Sequence, residues 1–246
     1  MREQPEQKAP PVQRMRLRYA KRGRLRFTSH RDFSRAFERA VVRARIPVAY
    51  SSGFNPHPRI SYAGAAPTGS ASEAEYLEIG LASEVDPQAI ETALDAALPP
   101  GLDVLDVVVS SGGSLAEHLV ASHWRLTLPD VPPSRAERAV SHFLATGEVT
   151  VQRMTKKGVR EFDCRAAVVS LTSHGSDDSG GECAILDLVL RHGTPSVRPD
   201  DILAGLREIA GLEAGSAPLQ ERLAQGPLDE QTGTVGDPLA RDRDAV

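Results

Sequence analysis

Hydrophobic and polar positions change period several times along this chain. Between Arg14 and Phe27 the period is two: Met15, Leu17 and Tyr19 alternate with Arg16 and Arg18, then Leu25 and Phe27 with Arg24 and Arg26. This is the pattern of half-buried strands with their arginines on one face. Lys21-Arg22-Gly23 reads as a turn or bulge between the two halves. From Ser29 the period becomes 3.6, with Phe33, Ala36, Phe37, Ala40, Val41 and Ala44 on one side of a helix. Ser29 suits the N-cap, and Asp32 three residues later completes an S-x-x-D variant of the capping box. Pro47 forces the helix to end before it. Arg59–Ala63 reads as a short strand, Gly64–Ser72 as a connection and Glu75–Leu81 as a second strand. Asp86 and Pro87 open a second helix as N-cap and first helical residue, with Ile90, Leu94, Ala97 and Leu98 as its apolar stripe. Pro99-Pro100-Gly101 stops it, and Leu102–Val109 is a strand.

The order strand, helix, strand, strand, helix, strand is that of a split βαβ, or ferredoxin-like, unit. In such a unit both helices cover one face of an antiparallel sheet. After a linker at Ser110–Gly113, strands at Trp124–Leu128 and Ala184–Arg191 and helices at Pro132–Ala145 and Pro199–Ile209 repeat the alternation in degenerate form. Between them Glu148–Met154 and Val159–Leu171 read as a hairpin around Lys156-Lys157-Gly158, and Ser173–Gly181 as a flexible loop. The expected fold class is α+β: two ferredoxin-like (split βαβ) units in tandem, at 14–112 and 113–212, the second degenerate. Residues 1–13 are rich in Pro, Gln and charge, and residues 213–246 carry no apolar period. Both are expected to be disordered tails.

With 246 residues, 40% hydrophobic and 25% charged, the chain suits a soluble globular protein, and aromatics at 4% imply an aliphatic core. The N-terminus is too polar for a signal peptide, and no apolar run approaches the ~20 residues that span a bilayer. A cytoplasmic protein with no membrane partner is expected. Cys164 and Cys183, with eighteen residues between them, fit neither a redox pair nor a zinc site. The net charge of −4 hides an asymmetry: Arg14–Arg59 holds thirteen Arg or Lys against Asp32 and Glu38, a net +11, while Ala71–Ser110 holds nine acids and no base. Such segregation bears on partners rather than on fold.

Arg31, Arg35, Arg39 and Arg43 follow one another at four-residue spacing along the first helix. Like charges so placed repel by about 0.2–0.5 kcal/mol per pair, and the row asks for an anionic partner. The loop after it displays Tyr50, Ser51, Phe54, Asn55, His57 and Arg59, with Gly53 for backbone freedom and Pro56 and Pro58 stiffening the chain around His57. Polar groups on a stiff loop are displayed at little entropic cost. Lys156 and Lys157 at the hairpin tip, with Arg153, Arg160 and Arg165, form a second basic cluster. His30, Tyr50 and His57 are the acid–base candidates should the chain be an enzyme. His30 and Asp32 make an H-x-D pair, but at a helix start the two point in different directions, so capping fits Asp32 better than a metal. No nucleotide-binding glycine loop, HExxH or GxSxG is present. No metal and no cofactor are expected.

FTSHRD, ERAVVRARIPVAYSSGFNPHPRISYA and PTGSASEAEYLEI, in that order, resemble the radical-SAM-associated domain family of unknown function, found in bacteria beside or fused after cobalamin-type radical SAM proteins. The likeness covers about residues 14–210. It implies a radical SAM protein as partner. With only two cysteines the chain lacks the three that would hold that enzyme's iron–sulfur cluster. The expected function is a non-catalytic module that binds structured RNA, phosphates meeting the arginines and Tyr50 and Phe54 stacking on bases, and that presents it to the radical SAM enzyme. Two alternatives stand beside it. One is a metal-free endoribonuclease using His30 and His57, by fold analogy alone. The other is a protein–protein adaptor docking through the charged segments.

Overall fold

The computed structural model describes residues 7–155, 158–175 and 183–245. The chain is a mixed α+β protein whose described residues divide into two compact units, one within 7–118 with 238–245, the other within 119–237.

In unit 1 the elements are β1 (Gln13–Lys21), α1 (His30–Arg43), β2 (Ile60–Ala63), β3 (Ala71–Leu81), α2 (Pro87–Ala97), β4 (Val104–Val109) and α3 (Leu115–His118). The strands lie in the order β4-β1-β3-β2 with every neighbouring pair antiparallel. This is the connectivity expected of a split βαβ unit. Met15, Leu17 and Tyr19 of β1 and Leu77, Ile79 and Leu81 of β3 share one apolar cluster with Phe33, Phe37 and Val41 of α1 and Ile90 and Leu94 of α2. Both helices therefore cover one sheet face, and strand alternation turns Arg14, Arg16 and Arg18 to the other. Few as the aromatics are, Tyr19, Phe33, Phe37 and Tyr62 gather beneath α1, with Tyr19 and Phe33 stacked at 4.3 Å. Truncating such a buried ring costs about 3–5 kcal/mol.

Unit 2 comprises β5 (Ala121–Pro129), α4 (Pro133–Ala145), β6 (Thr150–Thr155), β7 (Gly158–Asp163), β8 (Val168–Gly175), β9 (Cys183–Arg191), α5 (Pro199–Ala210) and β10 (Leu219–Gly226). Its strands lie in the order β10-β5-β9-β8, again antiparallel throughout. The hairpin β6–β7 is a separate two-stranded sheet inserted after α4. Gly205 lets α5 seat closely: a Cβ there would lie 3.0 Å from Val149 and 3.1 Å from both Cys164 Sγ and Phe143.

Five expectations need correction. Leu25 and Phe27 are not strand residues; Gly23–Phe27 is a 3-10 turn. Spacing of two also occurs in a turn, and Leu25 N–H and Thr28 N–H bond to Arg22 O and Leu25 O rather than to a neighbouring strand. The C-terminal segment is no tail: β10 pairs with β5, and α6 (Ala240–Arg243) belongs to unit 1 with Asp242 buried. The buried side chains of β10 are Arg222 and Gln225, so it carries no apolar alternation. At the other end, residues 1–6 of the expected N-terminal tail lie outside the described residues, but Val12 N–H bonds to Leu81 O and Gln13 starts β1. The span 159–171 is not one strand; a 3-10 turn at Arg165–Ala167 divides β7 from β8. Residues 173–175 of the expected flexible loop lie in β8, and 176–181 are outside the described residues.

Candidate functional site

α1 starts as its sequence requires. Ser29 Oγ accepts from Asp32 N–H at 3.2 Å and donates to Asp32 Oδ2 at 2.6 Å, leaving His30 as the first helical residue. His30 is exposed, with its ring edge-on to Tyr62 at 5.0 Å. Burial pushes the Tyr62 phenol up to about 12, so at neutral pH it remains a packing group. Arg31, Arg35 and Arg39 are exposed and make no ion pair among the described residues. Arg43 differs: its guanidinium donates to Ala97 O at 3.0 Å, capping the end of α2. Arg35, Glu38, Arg39 and Val42, the last 69% exposed, line a shallow groove on the outer face of α1.

Four arginines of the basic segment outside α1 are satisfied within unit 1. Arg14 meets Glu78 at 3.0 Å, and Arg18 donates to Glu73 O at 2.7 Å. Arg22 pairs with Glu73 and with Asp103 at 2.7 Å. Arg16, 1% exposed, holds Glu78 Oε2 at 3.2 Å, both oxygens of Asp242 at 3.0 and 2.9 Å, and the carbonyls of Gly112 and Gly113. The strand arginines thus do not extend the α1 row. The apolar face of β1 lies under the helices, so its arginines face away from α1. There Arg14 and Arg16 meet the Glu78 carboxylate of the acidic segment, and Arg18 the Glu73 carbonyl.

The loop between α1 and β2 is a closed hairpin. Tyr50 and Pro58 form an antiparallel bridge, Ser51 N–H donates to His57 O at 2.9 Å, and His57 N–H donates to Ser51 Oγ at 3.0 Å. Ala49 N–H donates to Gly80 O, and Gly80 N–H to Arg59 O, each at 2.8 Å, fixing the hairpin to β3. Gly53 has φ +125°, which needs glycine. Phe54, Asn55 and His57 are exposed, Phe54 at 70%. Arg59 Nε donates to Tyr50 O at 3.3 Å. Ser51, His57 and Arg59, with Pro11, Arg14, Ser61, Glu78 and Gly80, line a cleft of about 210 Å³. Arg14 and Glu78 place that cleft on the helix-free sheet face. The α1 groove and this cleft share no lining residue, so the sequence-derived candidates separate into two sites.

Lys156 and Lys157 lie outside the described residues. Of the residues expected around them, Arg153 is held by Asp201 at 2.8 Å and Ser196 O, and Arg165 by the carbonyls of Val168 and Leu144. Two groupings escaped the sequence reading. Arg26 stacks 4.8 Å over the ring of Phe27, itself 60% exposed, just before α1. In unit 2, Asp187 is met by Arg125 at 3.2 Å, His123 at 3.5 Å and His174 at 3.6 Å. The period-two pair His123 and Arg125 is the only local sign of it. Among the described residues no group of three or more His, Cys, Asp or Glu side chains is arranged to hold a metal ion. Burial pushes the Cys164 thiol up to about 12, too high for a nucleophile at neutral pH. No helix among the described residues is long and apolar enough to cross a membrane.

Comparison with solved structures gives remote likenesses. A DyP-type peroxidase from Mycobacterium smegmatis is 12% identical, covering 90% of this chain and 94% of that one, with a TM-score of 0.22. DyPB from Rhodococcus jostii RHA1 is 13% identical, covering 93% and 97%, with a TM-score of 0.21. Scores this low assign neither fold nor chemistry. No curated protein matches the chain. Residues 14–199, which include α1, the hairpin loop and all of the cleft but Pro11, match a family model, and the chain belongs to that family, described as uncharacterized protein conserved in bacteria (DUF2344).

Proposed function

We propose that unit 1 is an RNA-binding module that receives its ligand along the outer face of α1, and that the chain is a non-catalytic accessory presenting RNA to a radical SAM enzyme in RNA modification or processing. One contrast carries the reading. Arg14, Arg16 and Arg22 are matched to carboxylates, whereas Arg31, Arg35 and Arg39, one helical turn apart, are exposed and unmatched among the described residues. Their mutual repulsion is relieved by an anion running along the helix, and a phosphate backbone supplies charge at that kind of spacing. The exposed Phe27 beneath Arg26 and the exposed Phe54 offer faces on which unpaired bases stack. The enzyme partner rests on the motif resemblance and the short cysteine count.

The test is competition on the purified protein. Structured RNA such as tRNA should displace a labelled RNA more effectively than double-stranded DNA or heparin at matched charge. Replacing Arg35 and Arg39 together by alanine should weaken binding across all sequences. Equal displacement by heparin, with no RNA retained through purification in moderate salt, would overturn the reading in favour of a protein adaptor. Nothing in the geometry favours the endoribonuclease: His30 packs on Tyr62 while His57 lines the cleft.

A further inference from the structure

The hairpin cleft is built unlike the α1 groove. Its walls are held by main-chain bonds, leaving the side chains available: Ser51 Oγ accepts from His57 N–H and keeps its own proton to donate, the His57 imidazole makes no hydrogen bond among the described residues, and Arg59 uses only Nε, on Tyr50 O. Ser61 adds a second hydroxyl from β2. On the floor, Glu78 is already neutralised, one oxygen on Arg14 and the other on Arg16 and, at 3.4 Å, Ser110 Oγ. The charge left over is positive. Gly80 keeps the floor open: a Cβ there would lie 2.8 Å from Pro11 Cγ and 3.3 Å from Arg59 Cβ.

Size narrows the ligand. A volume of about 210 Å³ is below the roughly 300–1,000 Å³ of pockets that enclose a whole small molecule. It suits one polyatomic anion and the sugar attached to it. A tetrahedral group with three oxygens and a charge of about −1.5 to −2 uses a guanidinium, an imidazole and two hydroxyls more fully than a planar carboxylate does, and guanidinium–phosphate contacts are frequently bidentate.

We infer that the Ser51–His57–Arg59–Ser61 cleft binds a phosphate monoester, the terminal phosphate of an RNA or of a mononucleotide. The inference deepens the RNA-binding role proposed above and rests on it for the choice of ligand.

The test measures binding to one short single-stranded oligoribonucleotide carrying a 5′-phosphate, a 3′-phosphate or hydroxyls at both ends, with uridine 5′-monophosphate as free monoester. One phosphate-ended form should bind roughly tenfold tighter than the hydroxyl-ended one, as a charge-assisted contact predicts. His57→Ala and Arg59→Gln should each abolish that preference, whereas Arg35→Ala with Arg39→Ala should weaken all three forms alike. If Arg59→Gln fails to fold, His57→Ala, which removes no described hydrogen bond of the side chain, reads the site alone. Uridine monophosphate competing only for the preference confirms the cleft and identifies a free nucleotide as able to fill it. Its binding in a protein that holds no RNA keeps the cleft and removes the RNA reading. Equal affinity for all three oligonucleotides and no binding of the monophosphate overturns the cleft and leaves the RNA reading intact.

Discussion

Arg16 sits mid-strand in β1 with every polar contact filled by groups far along the chain: Glu78, the carbonyls of Gly112 and Gly113, and Asp242, 226 residues away. Asp242 in turn accepts from Ser111 N–H at 2.8 Å and Oγ at 2.7 Å. Burial alone would raise its carboxyl pKa, but the Ser111 donors and the Arg16 guanidinium outweigh this and hold it below the usual carboxylate range. A group with a depressed folded pKa contributes stability above its unfolded value, near 3.9, and loses it as pH falls through the folded value. Asp242→Ala strands a buried guanidinium and should cost about 3–5 kcal/mol, read as a lower urea midpoint. Replacing the pair by Met and Leu should recover most of that loss. Asp242→Asn should also show a shallower fall in midpoint than the parent below about pH 4. Parallel acid titrations of the two proteins would contradict this assignment. The sequence displayed Arg16 as one member of a basic face because period-two alternation reports which side a residue faces. It says nothing of which carboxylate waits there.

At the scale of elements, legibility followed the apolar period. α1 and α2 were readable from their caps and stripes, Ser29 with Asp32 and Asp86 with Pro87, because capping is satisfied within four residues. The β-α-β-β-α-β order of unit 1 followed from those helices and the strands between them. β10 was not readable. Its buried positions are polar, with Arg222 5.6 Å from the Trp124 ring and bonded to Gln225 at 2.7 Å, so its place in the sheet depends on β5 and not on its own pattern. The hairpin loop was half readable: its stiffness showed in Gly53, Pro56 and Pro58, whereas Arg14 and Glu78, which complete the cleft, come from β1 and β3. A consequence reverses the view of 213–246 as a disordered tail. Truncation after Leu212 removes β10 from unit 2 and Asp242 from unit 1, and should yield protein without a cooperative thermal transition. Limited proteolysis of the full chain should spare 219–226 while the sheet is intact. A truncated chain melting within a few degrees of the parent would show that β10 and α6 contribute little.

At the scale of the whole chain, the separation of basic and acidic segments is partly folded away. Glu73, Glu78 and Asp103 from the acidic stretch take Arg14, Arg16 and Arg22 from the basic one, and Asp106 takes Arg243. The formal +11 of residues 14–59 therefore overstates what a partner meets. Of those cations, Arg24, Arg26, Arg31, Arg35, Arg39 and Arg45 make no ion pair or hydrogen bond from the side chain among the described residues, and Arg26 lies over Phe27. This difference is measurable. Each phosphate contact on a single strand releases counterions worth a slope of about −0.7 in log affinity against log salt. If all thirteen cations of the segment engaged RNA, the slope would be roughly −9. The α1 row alone gives roughly −2, and all six available arginines roughly −4. The expected slope lies between these last two values. Arg35→Ala with Arg39→Ala should flatten it by about 1.4, whereas Arg22→Ala should leave it unchanged. A slope near −9, or one that Arg22→Ala flattens as much as Arg35→Ala does, would mean that the intramolecular ion pairs open on binding and that the ion-paired arginines, not α1, carry the RNA.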